Sequence, residues 1–210
     1  MRLYLASTSP ARLTLLRAAG IEPVVIPSAV DEPAAVAAAE SERGSALSAP
    51  EMVLLLARAK AEDVATTASD LDGLVLGGDS AFELDGIIYG KPHEPHVARA
   101  RWLLQRGRTG LLHSGSWLID ARRGGTGRAV GEVATATVSF AADIRDDEID
   151  AYIATGEPLA VAGAFTIDSL GGPFVERIEG DPSTVVGLSL PTLRQLLHRL
   201  DVALPSLWNR

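Results

Sequence analysis

Seventeen of the nineteen basic side chains in this 210-residue sequence are arginine, which leaves Lys60 and Lys91 as its only lysines. On such a background a lysine is chemically distinct. An ammonium is a compact point charge that can sit on one phosphate oxygen, whereas a guanidinium is a broad planar fork. Asp79 belongs to Gly77-Gly78-Asp79-Ser80, directly after the apolar residues 74–76. Glycines there let the backbone bend or a ligand approach closely. An acid at the C-terminal end of a buried strand is where α/β proteins place chemistry. A third candidate opens the chain, Ser7-Thr8-Ser9-Pro10-Ala11-Arg12. Ser9 fits a helix N-cap and Pro10 the first helical position. Free N–H groups and the positive end of a helix then meet at one point that suits an anion. From the pattern alone, the same residues also describe an ordinary capped helix, and Lys60 an ordinary solvated helix position.

The elements that must carry these groups follow from periodicity. Residues 3–6 form a strand, and Leu13, Leu15, Leu16 and Ala19 recur at helical spacing until Gly20. Residues 24–26 form a second strand, and residues 28–48, rich in Ala, Glu and Ser, a loop or weak helix. Pro50 opens a strong helix with Val53, Leu54, Leu56, Ala57, Ala61 and Val64 on its apolar face and Lys60 in its second half. The strand at 74–76 ends at the two glycines. Residues 82–84 and 87–89 flank Asp85-Gly86 as a hairpin with a type I′ signal, and Gly90-Lys91-Pro92 closes it. Residues 95–105 are helical. Residues 111–119 and 129–140 alternate as paired strands around a flexible turn at 122–127. A helix at 146–154, led by acids, is broken by Gly156-Glu157-Pro158. Residues 165–167 and 173–178 read as strands around Gly171-Gly172, and residues 191–200 as a last amphipathic helix. Early alternation of strand and helix, followed by antiparallel pairs, predicts an α/β fold with a mixed, twisted sheet flanked by helices.

Composition removes several classes of function. At 47% hydrophobic and 22% charged the chain is globular. A net charge of −8 opposes nucleic-acid polymers and anionic membranes, although contacts within a cleft act inside the ~8 Å screening length. No apolar run approaches the ~20 residues of a membrane span, and the first twenty residues lack a signal-peptide core, so a soluble cytoplasmic protein is expected. The absence of cysteine excludes disulfides, cysteine-based zinc sites and a thiol nucleophile. His93 and His96 are three apart in a proline-flanked loop, without an acid at metal-ligand spacing. P-loop, dinucleotide-binding and nucleophile-elbow glycine patterns are missing, and Ser114-Gly115-Ser116 falls short of the last.

Five segments nevertheless line up, in order and spacing, with one family. They are Leu5-Ala6-Ser7-Thr8-Ser9-Pro10-Ala11-Arg12, Leu56-Ala57-Arg58-Ala59-Lys60-Ala61, Gly77-Gly78-Asp79-Ser80, Gly90-Lys91-Pro92, and Gly156-Glu157-Pro158 running on through residues 162–168 to 185–190. Over essentially the whole chain the sequence resembles the Maf-like nucleoside triphosphate pyrophosphatases. The resemblance implies a single Maf-like domain over residues 1–210, of elongated α/β form with two lobes around a central cleft. It implies hydrolysis of a nucleoside triphosphate to monophosphate and pyrophosphate, a divalent Mg²⁺ or Mn²⁺ ion, and a cytoplasmic, often dimeric protein. On this resemblance Asp79 is the general base, and Lys60 and Lys91 bring charge to the phosphates. Ser7, Ser9 and Arg12 hold phosphate. Asp79 with Glu32 or Asp31 touches the metal, since Mg²⁺ commonly takes one or two carboxylates plus substrate oxygens and water.

Three positions depart from the family pattern: Ala11 replaces a second arginine, Ser80 a threonine, and Asp168 a glutamine. The last two, with Ala11, fall where the family sets substrate choice. A carboxylate only accepts hydrogen bonds where an amide also donates, so the base preference is expected to differ from a thymidine/uridine type. Two alternatives share the motifs. One is a nucleotide-binding regulator of septation with little turnover. The other is an inosine-triphosphate-type pyrophosphatase.

Overall fold

A computed structural model of the chain describes residues 1–123 and 127–209. The expected turn at 122–127 falls partly outside the described residues. Seven strands form a sheet in the order β2-β1-β3-β5-β6-β7, with β4 paired to β3. β1 (Arg2–Ala6) runs parallel to both β2 (Val24–Val25) and β3 (Gly73–Leu84). β4 (Ile87–Tyr89) is antiparallel to β3, and β7 (Val175–Glu179) antiparallel to β6 (Ala129–Phe140). The sheet is therefore mixed, as the sequence predicts. β5 (Thr109–Asp120) lies between β3 and β6. The chain divides into two compact units, one of Met1–Asp79, Ser114–Ala134 and Gly187–Arg210, the other of Ser80–His113 and Thr135–Val186.

In the first unit, helix starts follow one local rule. α1 (Pro10–Ala18), α2 (Glu32–Arg43), α3 (Ala49–Thr67) and α7 (Leu190–Arg199) each begin behind Ser or Asp, with proline in the first two helical positions. Ser9, Asp31 and Ser189 accept the N–H of Arg12, Ala34 and Thr192 respectively. Those rules decide the segment that composition left between loop and helix. Asp31 starts α2, and Gly44, at φ 76°, ends it in the left-handed conformation. β1 buries both faces. Leu3 and Leu5 join Leu16, Leu74, Leu76 and the α7 leucines, while Tyr4 and Ala6 join Ala61, Val64 and Val75.

β3 departs from expectation. It does not stop at Gly77-Gly78 but continues through Asp79 to Leu84, so Asp79 lies within a strand and not at its end. What approaches Gly77 closely is a helix. A Cβ on Gly77 would lie 2.0 Å from the Ala57 carbonyl oxygen and 2.8 Å from the Ala61 nitrogen, so α3 rests directly on the backbone of β3.

The second unit is built on aromatic side chains. Phe82, Trp102, Phe140, Tyr152 and Phe165 meet edge to face at centroid distances of 4.9–5.9 Å, an arrangement that adds to simple burial. α4 (Pro95–Gln105) supplies Trp102, whose indole N–H donates to the Ala164 carbonyl at 2.8 Å. α5 (Asp146–Ala154) supplies Tyr152, and α6 (Pro182–Val186) buries Val185. The β3–β4 hairpin has Leu84 opposite Ile87, and positive φ at both Asp85 and Gly86, as a type I′ turn requires. Residues 165–167, read as a strand, are irregular. The Thr166 hydroxyl donates to Glu157, and no strand among the described residues pairs with them. β7 begins only at Val175.

His113 is buried on β5. Its Nδ1 lies 2.9 Å from Thr135 Oγ1, while Nε2 is 3.4 Å from Glu83 Oε2 without hydrogen-bond geometry. Burial holds its pKa below the usual histidine value, with Glu83 acting the other way.

Two predictions follow from these packings. Gly77→Ala forces α3 off β3, and overpacking of this kind costs about 1–3 kcal/mol; calorimetry should show a Tm several degrees lower, and an unchanged Tm would contradict the close approach. For His113, the folded-state pKa is depressed, so the native state resists a proton that the unfolded chain accepts. Stability is then full above about pH 6.5 and falls as the pH drops through the interval down to the folded-state value. Thermal scans from pH 7.5 to 5 should show that fall, and His113→Gln should flatten it.

Candidate active site

The first unit carries seven of the residues singled out by sequence. α3 lies so close to β3 that the Lys60 side chain reaches Asp79, with Nζ 2.7 Å from Asp79 Oδ1. The same ammonium is 2.8 Å from Glu32 Oε1, at the first turn of α2. Lys60 is buried, with 10% of its side chain exposed, against 15% for Asp79 and 49% for Glu32. Lys60 is therefore no solvated helix position. It shares the buried stripe with Val53, Leu56, Ala57, Ala61 and Val64.

The loop after β1 faces the same carboxylates. Arg12 is buried, and its Nε donates to the Gly187 carbonyl at 2.8 Å while Nη1 donates to Ser7 Oγ at 3.1 Å. Burial draws the Arg12 pKa down from its ordinary value, and the charges of Asp79 and Glu32 work against that shift. Ser7 Oγ also accepts from the Ser9 N–H at 3.2 Å. With both acceptor positions engaged, its hydroxyl proton is left to donate. Ser9 caps α1 through the Arg12 N–H at 3.5 Å. Gly78 is the neighbour that makes room for Arg12, since a Cβ there would lie 3.0 Å from Arg12 Nε. Gly187, whose φ of 124° belongs to glycine, holds the acceptor for Arg12 and was not singled out by sequence.

Formal charges in this cluster cancel: Arg12 and Lys60 against Glu32 and Asp79. Among the described residues no group of three or more His, Cys, Asp or Glu side chains is placed to hold a metal ion, which also covers His93 and His96. The carboxylates that Lys60 joins number two, and they already share one cation. Two hard oxygen donors of this kind suit Mg²⁺ or Mn²⁺ completed by substrate oxygens and water. Asp31, the remaining acid of the expected set, is occupied as the N-cap of α2, with Oδ1 3.0 Å from the Ala34 N–H.

The second unit carries the other three residues. Ser80 follows Asp79 on β3 and is half-buried. Lys91 is exposed after β4, next to the buried Pro92, and makes no ion pair among the described residues. The carbonyl of the preceding Gly90 accepts from Arg101, whose guanidinium lies over the Tyr89 ring at 5.5 Å. Asp168 is exposed and likewise without an ion pair or hydrogen bond among the described residues.

No helix among the described residues is long and apolar enough to cross a membrane. The family model for Maf-like proteins matches residues 2–200. A nucleoside triphosphate pyrophosphatase of Leifsonia xyli subsp. xyli is 69% identical over 212 residues, spanning 100% of this chain and 98% of that one. Another, of Salinispora tropica, is 55% identical over 213 residues, spanning 100% and 88%. A third, of Mycobacterium sp. strain JLS, is 47% identical and spans 100% and 99%. With a family model over nearly its whole length and full-length relatives of this similarity, the chain belongs to the Maf-like family.

Proposed function

We propose that this protein is a nucleoside triphosphate pyrophosphatase that hydrolyses the bond between the α- and β-phosphates. The observation that carries the reading is the buried Lys60 ammonium held between Asp79 and Glu32, beside Arg12. Membership of the family and the shared name of its full-length relatives support the same reaction.

The chemistry follows from charge. A triphosphate brings about four negative charges, which shield the α-phosphorus from a water nucleophile. Asp79 takes a proton from the attacking water. A bond forms from that oxygen to the α-phosphorus, the bond to the bridging oxygen breaks, and pyrophosphate leaves with the bonding electrons. Oδ1 of Asp79 is held by Lys60, which aims the carboxylate and leaves Oδ2 for the water. Ser7 donates its hydroxyl proton, and Arg12 its charge, to phosphate oxygens; Ser9 shapes the loop that brings them there. To the second unit we assign a phosphate contact for Lys91, a neighbouring substrate contact for Ser80 and the base for Asp168.

Because Arg12, Lys60, Glu32 and Asp79 sum to zero, they do not by themselves offset a tetra-anion. A divalent ion, Mg²⁺ or Mn²⁺, held by Asp79 and Glu32 would supply that positive charge. The family resemblance further implies a cytoplasmic homodimer.

Two measurements test this. Asp79→Asn should lower kcat for pyrophosphate release by about 10²–10⁴-fold, the usual worth of a positioned base. Full activity in that variant, or no turnover of any triphosphate by the wild type, would refute the assignment. Lys60→Met removes the ammonium that occupies the two carboxylates. In it kcat/KM should fall about 100-fold, while Mn²⁺, followed by electron paramagnetic resonance without nucleotide, should bind more tightly than to wild type. Weaker Mn²⁺ binding would mean that Lys60 and the ion do not share these oxygens.

A further inference from the structure

Ser114-Gly115-Ser116 lies on β5, and the proposed hydrolysis makes no use of it. Its middle residue is the one that sets it apart. A Cβ on Gly115 would lie 2.4 Å from the Val53 carbonyl oxygen, 2.6 Å from the carbonyl carbon and 2.9 Å from the Leu54 nitrogen. All three are backbone atoms of α3, so no change of rotamer relieves such a clash and the helix itself has to move. Gly115, Val53, Lys60, Asp79 and Glu32 all belong to the first unit.

The backbone of α3 therefore meets the sheet at two glycines. The Val53 carbonyl meets Gly115 of β5, and the Ala57 carbonyl meets Gly77 of the neighbouring strand β3. Four residues advance a helix by ~6 Å, and adjacent strands lie ~4.8 Å apart, so successive turns of α3 cross successive strands. The next turn, with Ala61 and Val64, packs on Tyr4 and Ala6 of β1. One close approach fixes the depth of a helix, and two on adjacent strands fix its tilt as well. Lys60 lies three residues beyond Ala57, on the side of the Gly77 crossing away from Gly115. A helix raised at Val53 while seated on Gly77 pivots there, and its Lys60 end swings. The ammonium has little room for that. It stands 2.7 Å from Asp79 Oδ1 and 2.8 Å from Glu32 Oε1, and a hydrogen bond is lost by about 3.5 Å.

We infer that Gly115 is a positioning residue for the proposed hydrolysis: it admits the Val53 carbonyl against β5, sets the tilt of α3, and so aims the Lys60 ammonium at Asp79 and Glu32. The effect on turnover rests on the pyrophosphatase reading, whereas the placing of Lys60 does not.

Because the chain has two lysines, protein labelled with ¹⁵N at lysine Nζ gives two ammonium signals, and Lys60→Met identifies one of them by its loss. Buried and held by two carboxylates, the Lys60 protons should exchange with water at least about tenfold more slowly than those of the exposed Lys91. In Gly115→Ala the Lys60 signal should shift and lose that protection, and kcat should fall about 100-fold, the usual effect of a misplacement near 1 Å. Gly73→Ala is the control for lost stability alone. Its Cβ would also lie 2.4 Å from a backbone oxygen, that of Arg2, but against β1 and six residues before Asp79. It should lower the Tm, keep the Lys60 signal in place and leave kcat within about twofold of wild type. Spectra and rates are taken on protein shown to be folded by circular dichroism. Should Gly115→Ala alone fold poorly, Gly115→Ala/Val53→Ala removes methyl groups where the new one enters and should show the same displaced signal. Val53→Ala alone keeps the carbonyl against Gly115 and should keep the wild-type signal. A Lys60 signal unmoved in Gly115→Ala or in the double variant overturns the inference, as does one moved equally in Gly73→Ala or Val53→Ala, or moved with kcat unchanged. Failure of the pyrophosphatase reading looks different: wild type releases no pyrophosphate from any triphosphate, while the ammonium spectra still report what Gly115 does.

Discussion

One ammonium between two carboxylates constrains much of the first unit. Taking an ion out of water costs several kcal/mol unless its partners are in place, and Lys60 is 10% exposed. Both oxygens must therefore arrive at the right depth: Asp79 from β3 and Glu32 from α2. Three features of the fold serve that end. Gly77 admits the backbone of α3 against β3, Asp31 and Pro33 start α2 so that Glu32 lies in its first turn, and Ala57 and Ala61 keep the helix surface low on either side of Lys60. The glycine before Asp79 is thus a packing requirement, as much as the lysine is an electrostatic one.

Much of this was legible because it is local. A Ser or Asp followed by proline fixes a helix start through hydrogen bonds within four residues, so α1 and the hairpin turn at Asp85-Gly86 could be placed from sequence. The depth of Lys60 was also written there. It lies three residues after Ala57 and four before Val64, within the buried stripe, where a lysine is out of place unless paired. Other features depend on groups distant in the chain. Gly77-Gly78 marks a bend as readily as a close approach, and only the position of Ala57 decides between them. Phe165-Thr166-Ile167 has strand-like composition, but the carboxylate of Glu157 takes the Thr166 hydroxyl and no strand among the described residues pairs with them. By sequence Glu157 is a helix breaker. Its five donors come from Tyr152 of α5 and four residues of the 165–171 loop, and no local spacing announces them.

Asp79 and Glu157 show how surroundings assign different work to the same functional group. Glu157 is saturated by hydroxyl and amide donors, which hold it ionised and leave it no lone pair to offer. It can organise a loop but has nothing left for a water molecule. Asp79 is held at one oxygen by a cation and stays open at the other, the condition under which a carboxylate can both be aimed and accept a proton. Asp168 is a third case, exposed and without a hydrogen bond or ion pair among the described residues. The Lys60 pairings and the loop that carries Asp168 therefore rest on different carboxylates and different hydrogen bonds. A substitution at Asp168 leaves the Lys60 pairings intact, because no hydrogen bond or ion pair among the described residues ties Asp168 to them.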